Sequence, residues 1–189
     1  MEAALKAQFE TLALPHLDAV YRMARTLTPI EAEAEDLCQE TFVRAFRAFA
    51  SFELRDHGAK PWLLRILHNA FYTLRGKQRR QPTLMDHIDF ERIGEELDVA
   101  GPLPEDVAEL NWERFDEELK QAVAELPADY QTVILLWAIE DLSYKEIAEV
   151  CECALGTVMS RLYRARQLLG RSLRDYAVRH NLSTARFDT

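Results

Sequence analysis

Residues 142–169 read Leu-Ser-Tyr-Lys-Glu-Ile-Ala-Glu-Val-Cys-Glu-Cys-Ala-Leu-Gly-Thr-Val-Met-Ser-Arg-Leu-Tyr-Arg-Ala-Arg-Gln-Leu-Leu, and this stretch constrains the fold more than any other. Ser143 and Glu146 have the spacing of a capping box, which predicts a helix starting there. Ile147, Ala148 and Cys151 fall on one face of that helix. A tight turn is expected over Glu152 to Ala154. A second helix then carries Leu155, Val158, Leu162, Ala165 and Leu169 at steps of three and four. Its other face carries Thr157, Ser160, Arg161, Arg164 and, further round, Gln167. Hydroxyls at the start of an amphipathic helix and arginines along it are what a DNA recognition helix needs. Its first N–H groups and its arginines can hold phosphates, and side chains of its first turns can reach base edges. The same pattern fits any helical hairpin with a solvated basic face, so the rest of the chain has to decide.

The remaining apolar spacing is also helical. With 6 Gly and 7 Pro in 189 residues and 48% hydrophobic content, the chain reads as all-α, with enough apolar material for one or two small domains. Leu5, Phe9, Leu12, Leu17, Val20, Tyr21, Ala24 and Leu27 give a helix that Pro15 should break or kink. Thr28 is the expected N-cap of the next helix, with Pro29 at its first position. That helix, about Ile30 to Phe52, should bury Leu37, Thr41, Ala45 and Phe49, with Phe42, Phe46 and Phe52 beside them. A third, about Lys60 to Lys77, should bury Trp62 or Leu63, Ile66, Leu67, Ala70, Phe71 and Leu74. Helices over 112–125 and 129–139 precede the opening hairpin, and the tail after Tyr176 should fray. The longest unbroken apolar run, Val133 to Ile139, is too short to span a bilayer. The first residues lack the basic and apolar regions of a secretion signal, so no membrane insertion and a cytoplasmic location are expected.

A net charge of −9 is unpromising for a nucleic-acid binder until its distribution is considered. Residues 86–118 hold thirteen Asp or Glu against two Arg, a net −11, so the rest of the chain carries +2. Residues 60–85 contain Lys60, Arg65, Arg75, Lys77, Arg79 and Arg80 and no acid. Basic residues at a helix end suit its dipole. Here, however, they stand beside Trp62, Asn69 and Tyr72, the equipment for holding phosphates while stacking unpaired bases. Two basic zones flank an acidic segment punctuated by Pro82, Pro102, Pro104, Gly94 and Gly101, which reads as a linker. On the second helix, Glu33 and Glu35 suit the N-terminal dipole, whereas Asp36, Gln39 and Glu40 lie too far in for that reason to apply. Cys38, Cys151 and Cys153 form no C-x-x-C motif and have no nearby His, so packing is their expected role. His16, His57, His68, His87 and His180 are scattered. No nucleophile, carboxylate pair or metal cluster points to an enzyme, and no cofactor is expected.

Taken together, four segments resemble the extracytoplasmic-function (group 4) sigma factors of RNA polymerase, within the sigma-70 family. They run from Leu14 to Arg22, Ala34 to Phe46, Lys60 to Phe71 and on to Arg80, and Leu126 to Leu136 followed by the hairpin. The resemblance covers about Phe9 to Arg174. It implies a sigma2-like helical domain over 1–81, an acidic flexible linker over 82–111, a sigma4-like helix–turn–helix domain over 112–176 and a tail over 177–189. It also implies a subunit that directs core polymerase to promoters. The first domain would bind the clamp helices of the largest subunit and read the melted −10 element. The second would bind the flap of the second-largest subunit and read the −35 duplex. The linker would thread toward the basic active-site cleft. Control by an anti-sigma factor is implied as well, and the N-terminal segments resemble the group that answers thiol oxidation.

Carried over by position, Asp36, Leu37, Gln39, Glu40 and Phe42 match the core-binding helix. Trp62, Arg65 and Asn69 fall in the −10 region, where Asn69 matches a position that contacts a flipped-out base. Arg75, Lys77, Arg79 and Arg80 would hold the backbone. Met159, Ser160 and Arg164 match positions that meet the −35 major groove, with Thr157 and Arg161 near phosphates. The chain departs from the family in the turn, where Gly is usual in place of Glu152 and Pro in place of Ala154, so a looser or altered turn is expected. Met159 stands where Lys or Arg is usual and offers only apolar contact. Two other readings remain at this point: a sigma mimic that titrates an anti-sigma factor, and a stand-alone helix–turn–helix repressor.

Overall fold

The computed structural model describes residues 2–28, 30–54, 58–74 and 117–173. Its helices are α1 (Glu2–Ala13), α2 (Leu17–Leu27), α3 (Glu31–Ala48), α4 (Lys60–Leu74), α5 (Glu117–Ala124), α6 (Ala128–Ala138), α7 (Tyr144–Cys151) and α8 (Leu155–Ser172). Short 3-10 turns occupy Leu14–His16 and Phe49–Ser51. Among the described residues all regular structure is helical, as the spacing predicted. The chain divides into two compact units, one built on α1 to α4 and the other on α5, α6, α8 and the start of α7. The expected linker and tail lie outside the described residues, as do Arg75, Lys77, Arg79 and Arg80.

In the first unit α3 packs against both α2 and α4, and α2 against α4. Pro15 separates α1 from α2 through the 3-10 turn, because its ring cannot continue the helical ladder. The interior is filled by Val20, Met23 and Leu27 from α2, Leu37 and Cys38 from α3, and Leu63, Leu64, Leu67 and Phe71 from α4. Ala24, Ala34, Ala45 and Ala70 have no exposed surface, and such small residues let helix axes approach closely. Thr41 is equally buried, and its hydroxyl donates to the Leu37 carbonyl at 2.7 Å, so the polar atom costs little in an apolar setting. Each fully buried Leu or Phe contributes about 1.5–3 kcal/mol. Burial pushes the Cys38 thiol up from its ordinary pKa, which suits the packing role expected of it.

Three expectations need correction. Thr28 does not cap α3. Its N–H and hydroxyl both donate to the Ala24 carbonyl, at 2.9 and 2.7 Å, closing α2 instead. Ile30 is the residue before α3, with no side-chain cap. On α4, Leu64 is buried, while Ile66 is half-buried and Leu74 is 67% exposed. The apolar stripe therefore follows the i+3 row through Leu64 and Leu67.

α1 is attached by Phe9. This ring is 7% exposed and meets Phe42, Phe46 and Phe49 edge-on, with centroids 6.4, 5.2 and 5.3 Å away. The aromatic series continues from Phe49 to Phe52 at 5.9 Å and from Phe52 to Trp62 at 4.2 Å, joining α1, the end of α3 and the start of α4. Gly58, just before α4, has φ +75°, a conformation that costs a Cβ-bearing residue. Replacing Phe9 with Ala is expected to lower stability by about 3–5 kcal/mol and to expose α1 to proteolysis. Urea denaturation with limited proteolysis checks both.

In the second unit α8 packs on α6 and α5. Val133 and Leu136 of α6, Ile147 of α7, and Val158, Leu162 and Ala165 of α8 are almost wholly buried. α6 ends with Ile139 and Glu140 N–H groups both on the Leu135 carbonyl and Leu142 N–H on Leu136. Asp141, at φ +51°, makes the left-handed step, which Asp tolerates better than most residues. No helix among the described residues is long and apolar enough to cross a membrane.

Candidate nucleic-acid and partner-binding faces

The hairpin is built as the sequence predicted at its start and differently at its turn. Ser143 Oγ accepts the Glu146 N–H at 3.3 Å, and Glu146 Oε2 accepts the Ser143 N–H at 2.8 Å. This reciprocal capping box satisfies donors that the first turn of α7 leaves open. α7 closes in a Schellman motif: Cys153 N–H donates to the Ala148 carbonyl at 3.1 Å, and Glu152 holds φ +50°. The turn is therefore not loose. A non-glycine residue takes the left-handed step, and Ala154 adopts φ −66°, the value a proline ring would impose. The backbone keeps the geometry of Gly and Pro without either residue. Glu152→Gly is expected to raise stability by about 1 kcal/mol by relieving this strain, measured as an increased urea midpoint at unchanged slope.

On α8 the buried stripe is Val158, Leu162 and Ala165, whereas Leu155 is 41% exposed and Leu169 half-buried. Thr157, Met159, Ser160, Arg161 and Arg164 are all half-buried. Ser160 Oγ donates to the Thr157 carbonyl at 3.0 Å, which leaves its lone pairs available. The arginines divide by partner. Arg161 Nη2 is 2.6 Å from Asp129 Oδ2 at the first turn of α6. Arg166 places its guanidinium 4.3 Å from the centre of the Trp137 ring on the same helix. Both cations hold α8 on α6. Arg161, expected near a phosphate, thus has one guanidinium nitrogen on the Asp129 carboxylate, while its side chain stays 22% exposed. Arg164 instead donates from Nη1 to Gln167 Oε1 on its own helix at 3.4 Å. Asp129 and Trp137 were not singled out from the sequence. They stand 32 and 29 positions before their partners, and no local pattern pairs them.

On α3, Asp36 and Gln39 are exposed. Glu40 is half-buried and accepts from Arg44 Nε at 2.6 Å, an i,i+4 pair. Leu37, grouped with them from the family pattern, is 1% exposed and packs inside the bundle. Phe42 is half-buried against Phe9. Leu37 therefore supports the helix from inside, while Phe42 keeps part of its ring accessible. On α4, Trp62, Arg65 and Asn69 share one side at steps of three and four. Trp62 is half-buried against Phe52, Arg65 is exposed and Asn69 half-buried. Tyr72 lies against His68 with ring centres 4.6 Å apart. Among the described residues no group of three His, Cys, Asp or Glu is placed to hold a metal ion.

Residues 12–81 match the family described as Sigma-70 region 2, and residues 116–169 that described as Sigma-70, region 4. The ECF RNA polymerase sigma factor SigE of Mycolicibacterium smegmatis is 34% identical over 186 residues, covering 97% of this chain and 67% of that protein. The ECF RNA polymerase sigma factor SigW of Bacillus subtilis is 33% identical, covering 84% of each. Among solved structures, the sigma factor RpoE of Bartonella quintana, crystallised with the anti-sigma factor NepR, aligns over 88% of this chain and 97% of that one. It does so at 31% identity with a TM-score of 0.64.

Proposed function

The chain belongs to the extracytoplasmic-function RNA polymerase sigma factors of the sigma-70 family, and from that premise we propose how its two helical units divide the work of promoter selection. A sigma factor is a specificity subunit rather than an enzyme: it directs core polymerase to particular promoters. In this reading the unit of α5 to α8 binds the −35 duplex, with α8 in the major groove. The unit of α1 to α4 binds core polymerase through α3 and the melted −10 element through α4. Both act where core polymerase is found, in the cytoplasm. The observation that carries the reading is the capped α7–turn–α8 hairpin. Asp129 and Trp137 hold two of its arginines inward, which leaves Ser160, Met159 and Arg164 on the remaining face.

The partners follow from surface chemistry. Asp36 and Gln39 offer an exposed polar patch in mid-helix, where the α3 dipole gives no reason for acidity. This supports binding to the clamp helices of the largest subunit. Arg65 and Asn69 support contact with the separated strands, and the acidic segment 86–118 supports passage along basic polymerase surfaces. A similar sigma factor crystallised with an anti-sigma factor supports control of this chain by an anti-sigma protein. Met159 supports an apolar contact, such as a thymine methyl, in place of the cation that the family pattern implies there.

Run-off transcription with core polymerase on genomic fragments, with mapping of start sites, tests the whole reading. Promoter-dependent initiation is expected, and failure to initiate despite core binding would favour a titrating mimic. Arg164→Ala is expected to weaken −35-dependent binding by about 1–3 kcal/mol, with promoter output unchanged as the result that removes its assignment. Asp36→Ala and Gln39→Ala are each expected to weaken core binding by about 1–2 kcal/mol without altering the thermal midpoint. A change in stability alone would make them structural.

A further inference from the structure

Three polar side chains on α8 form a connected series. Gln167 Nε2 donates to the Tyr163 hydroxyl oxygen at 2.7 Å, and Arg164 Nη1 donates to Gln167 Oε1 at 3.4 Å. The residues are three and four positions apart, so they lie on neighbouring turns of one face, and each is half-buried. Chemistry dictates the amide orientation. An arginine has only donors, so the atom facing it must be Oε1, which leaves Nε2 for the hydroxyl. The shorter bond to Tyr163 thus holds the amide in the orientation that receives Arg164. Within the guanidinium, Nε is buried without a hydrogen-bond partner. That side of the group is closed to a ligand. What Arg164 can present is its outer edge: Nη2 and the second N–H of Nη1.

We propose that Gln167 is a positioning residue for promoter reading, aligning the outer edge of Arg164 with the paired acceptors of a guanine in the −35 element, while Tyr163 anchors Gln167. The proposal rests on the assignment of Arg164 to the −35 duplex. A planar fork meeting guanine O6 and N7 requires a set orientation. Guanine O6 and N7 lie in the fixed plane of a base pair, so the fork must be held in that plane to meet both. A flexible arginine restrained by a neighbouring amide, itself restrained by a hydroxyl, is the arrangement that a bidentate base contact requires. Gln167 itself touches no base in this scheme.

The test is in vitro transcription by the reconstituted holoenzyme on promoters in which each −35 base pair is changed in turn. Wild type, Gln167→Ala, Gln167→Glu, Tyr163→Phe, Arg164→Ala and the Gln167→Ala/Arg164→Ala double variant are compared. Circular dichroism and core binding serve as controls for folding. In the wild type, replacing one guanine should reduce output roughly tenfold or more. In Gln167→Ala that discrimination should shrink severalfold at this position alone, with preference elsewhere retained. Gln167→Glu keeps an acceptor for Arg164 and should preserve discrimination, and Tyr163→Phe should lose part of it. The double variant should match Arg164→Ala. Equal loss on every promoter in Gln167→Ala, or additive losses in the double variant, would overturn the positioning role. Lost discrimination in Arg164→Ala with none lost in Gln167→Ala overturns that role alone. No loss in Arg164→Ala overturns the −35 assignment and the proposal together.

Discussion

The helices described here run from 8 to 18 residues, and at such lengths burial of an apolar stripe, more than the helical hydrogen bonds themselves, keeps each one folded. α7 is the extreme case. Eight residues would not hold a helix in water, so its two ends must be secured. The Ser143–Glu146 box satisfies the first turn, the left-handed step at Glu152 closes the last, and Ile147 goes into the core. The direction in which α8 leaves the turn depends on that closure. In the other unit, Phe9 does for α1 what the caps do for α7: one buried ring fastens a helix to three rings at the end of α3.

Charge is allocated by the same need. α8 is rich in arginine, and its basic face looks uniform in projection. Packing breaks that uniformity. Arg161 takes the carboxylate of Asp129, Arg166 takes the ring of Trp137, and Arg164 keeps to its own helix with Gln167. A half-buried ion pair across two helices restricts rotation and sliding of one on the other, even where its net energy is modest. A recognition helix needs that restriction, because a base edge is read only if the side chain arrives in register. Two cations that point to α6 fix the face of α8 on which Arg164 and Gln167 lie.

The overall negative charge is consistent with this division. A nucleic-acid-binding surface requires local positive potential, and the total charge decides little when the acids are collected in one segment. With −11 confined to residues 86–118, the helical units on either side are free to present basic faces. On α3 the carboxylate of Asp36 and the amide of Gln39 are exposed in mid-helix.

Fold class, helix positions and the family were legible in the sequence because they depend on local periodicity and short spacings. The capping box, the break at Pro15, and the stripes through Leu37, Thr41 and Ala45 and through Val158, Leu162 and Ala165 are each written within a few residues. Other features were not legible because they depend on which turn faces which neighbour. Thr28 looked like a cap for α3 but closes α2, since its hydroxyl reaches the carbonyl four residues back. Leu37 matched a binding motif by position, yet its side chain is buried in the bundle. Without glycine the turn at Glu152 reads as looser or altered, but the Schellman closure keeps its geometry at a local cost in strain. The residues that turn Arg161 and Arg166 inward come from a different helix. The sequence by itself determined where the helices are and which family they belong to, because those depend on local spacing. Only the tertiary structure decided which arginines hold α8 on α6, because that depends on partners some thirty residues away meeting across a helix interface.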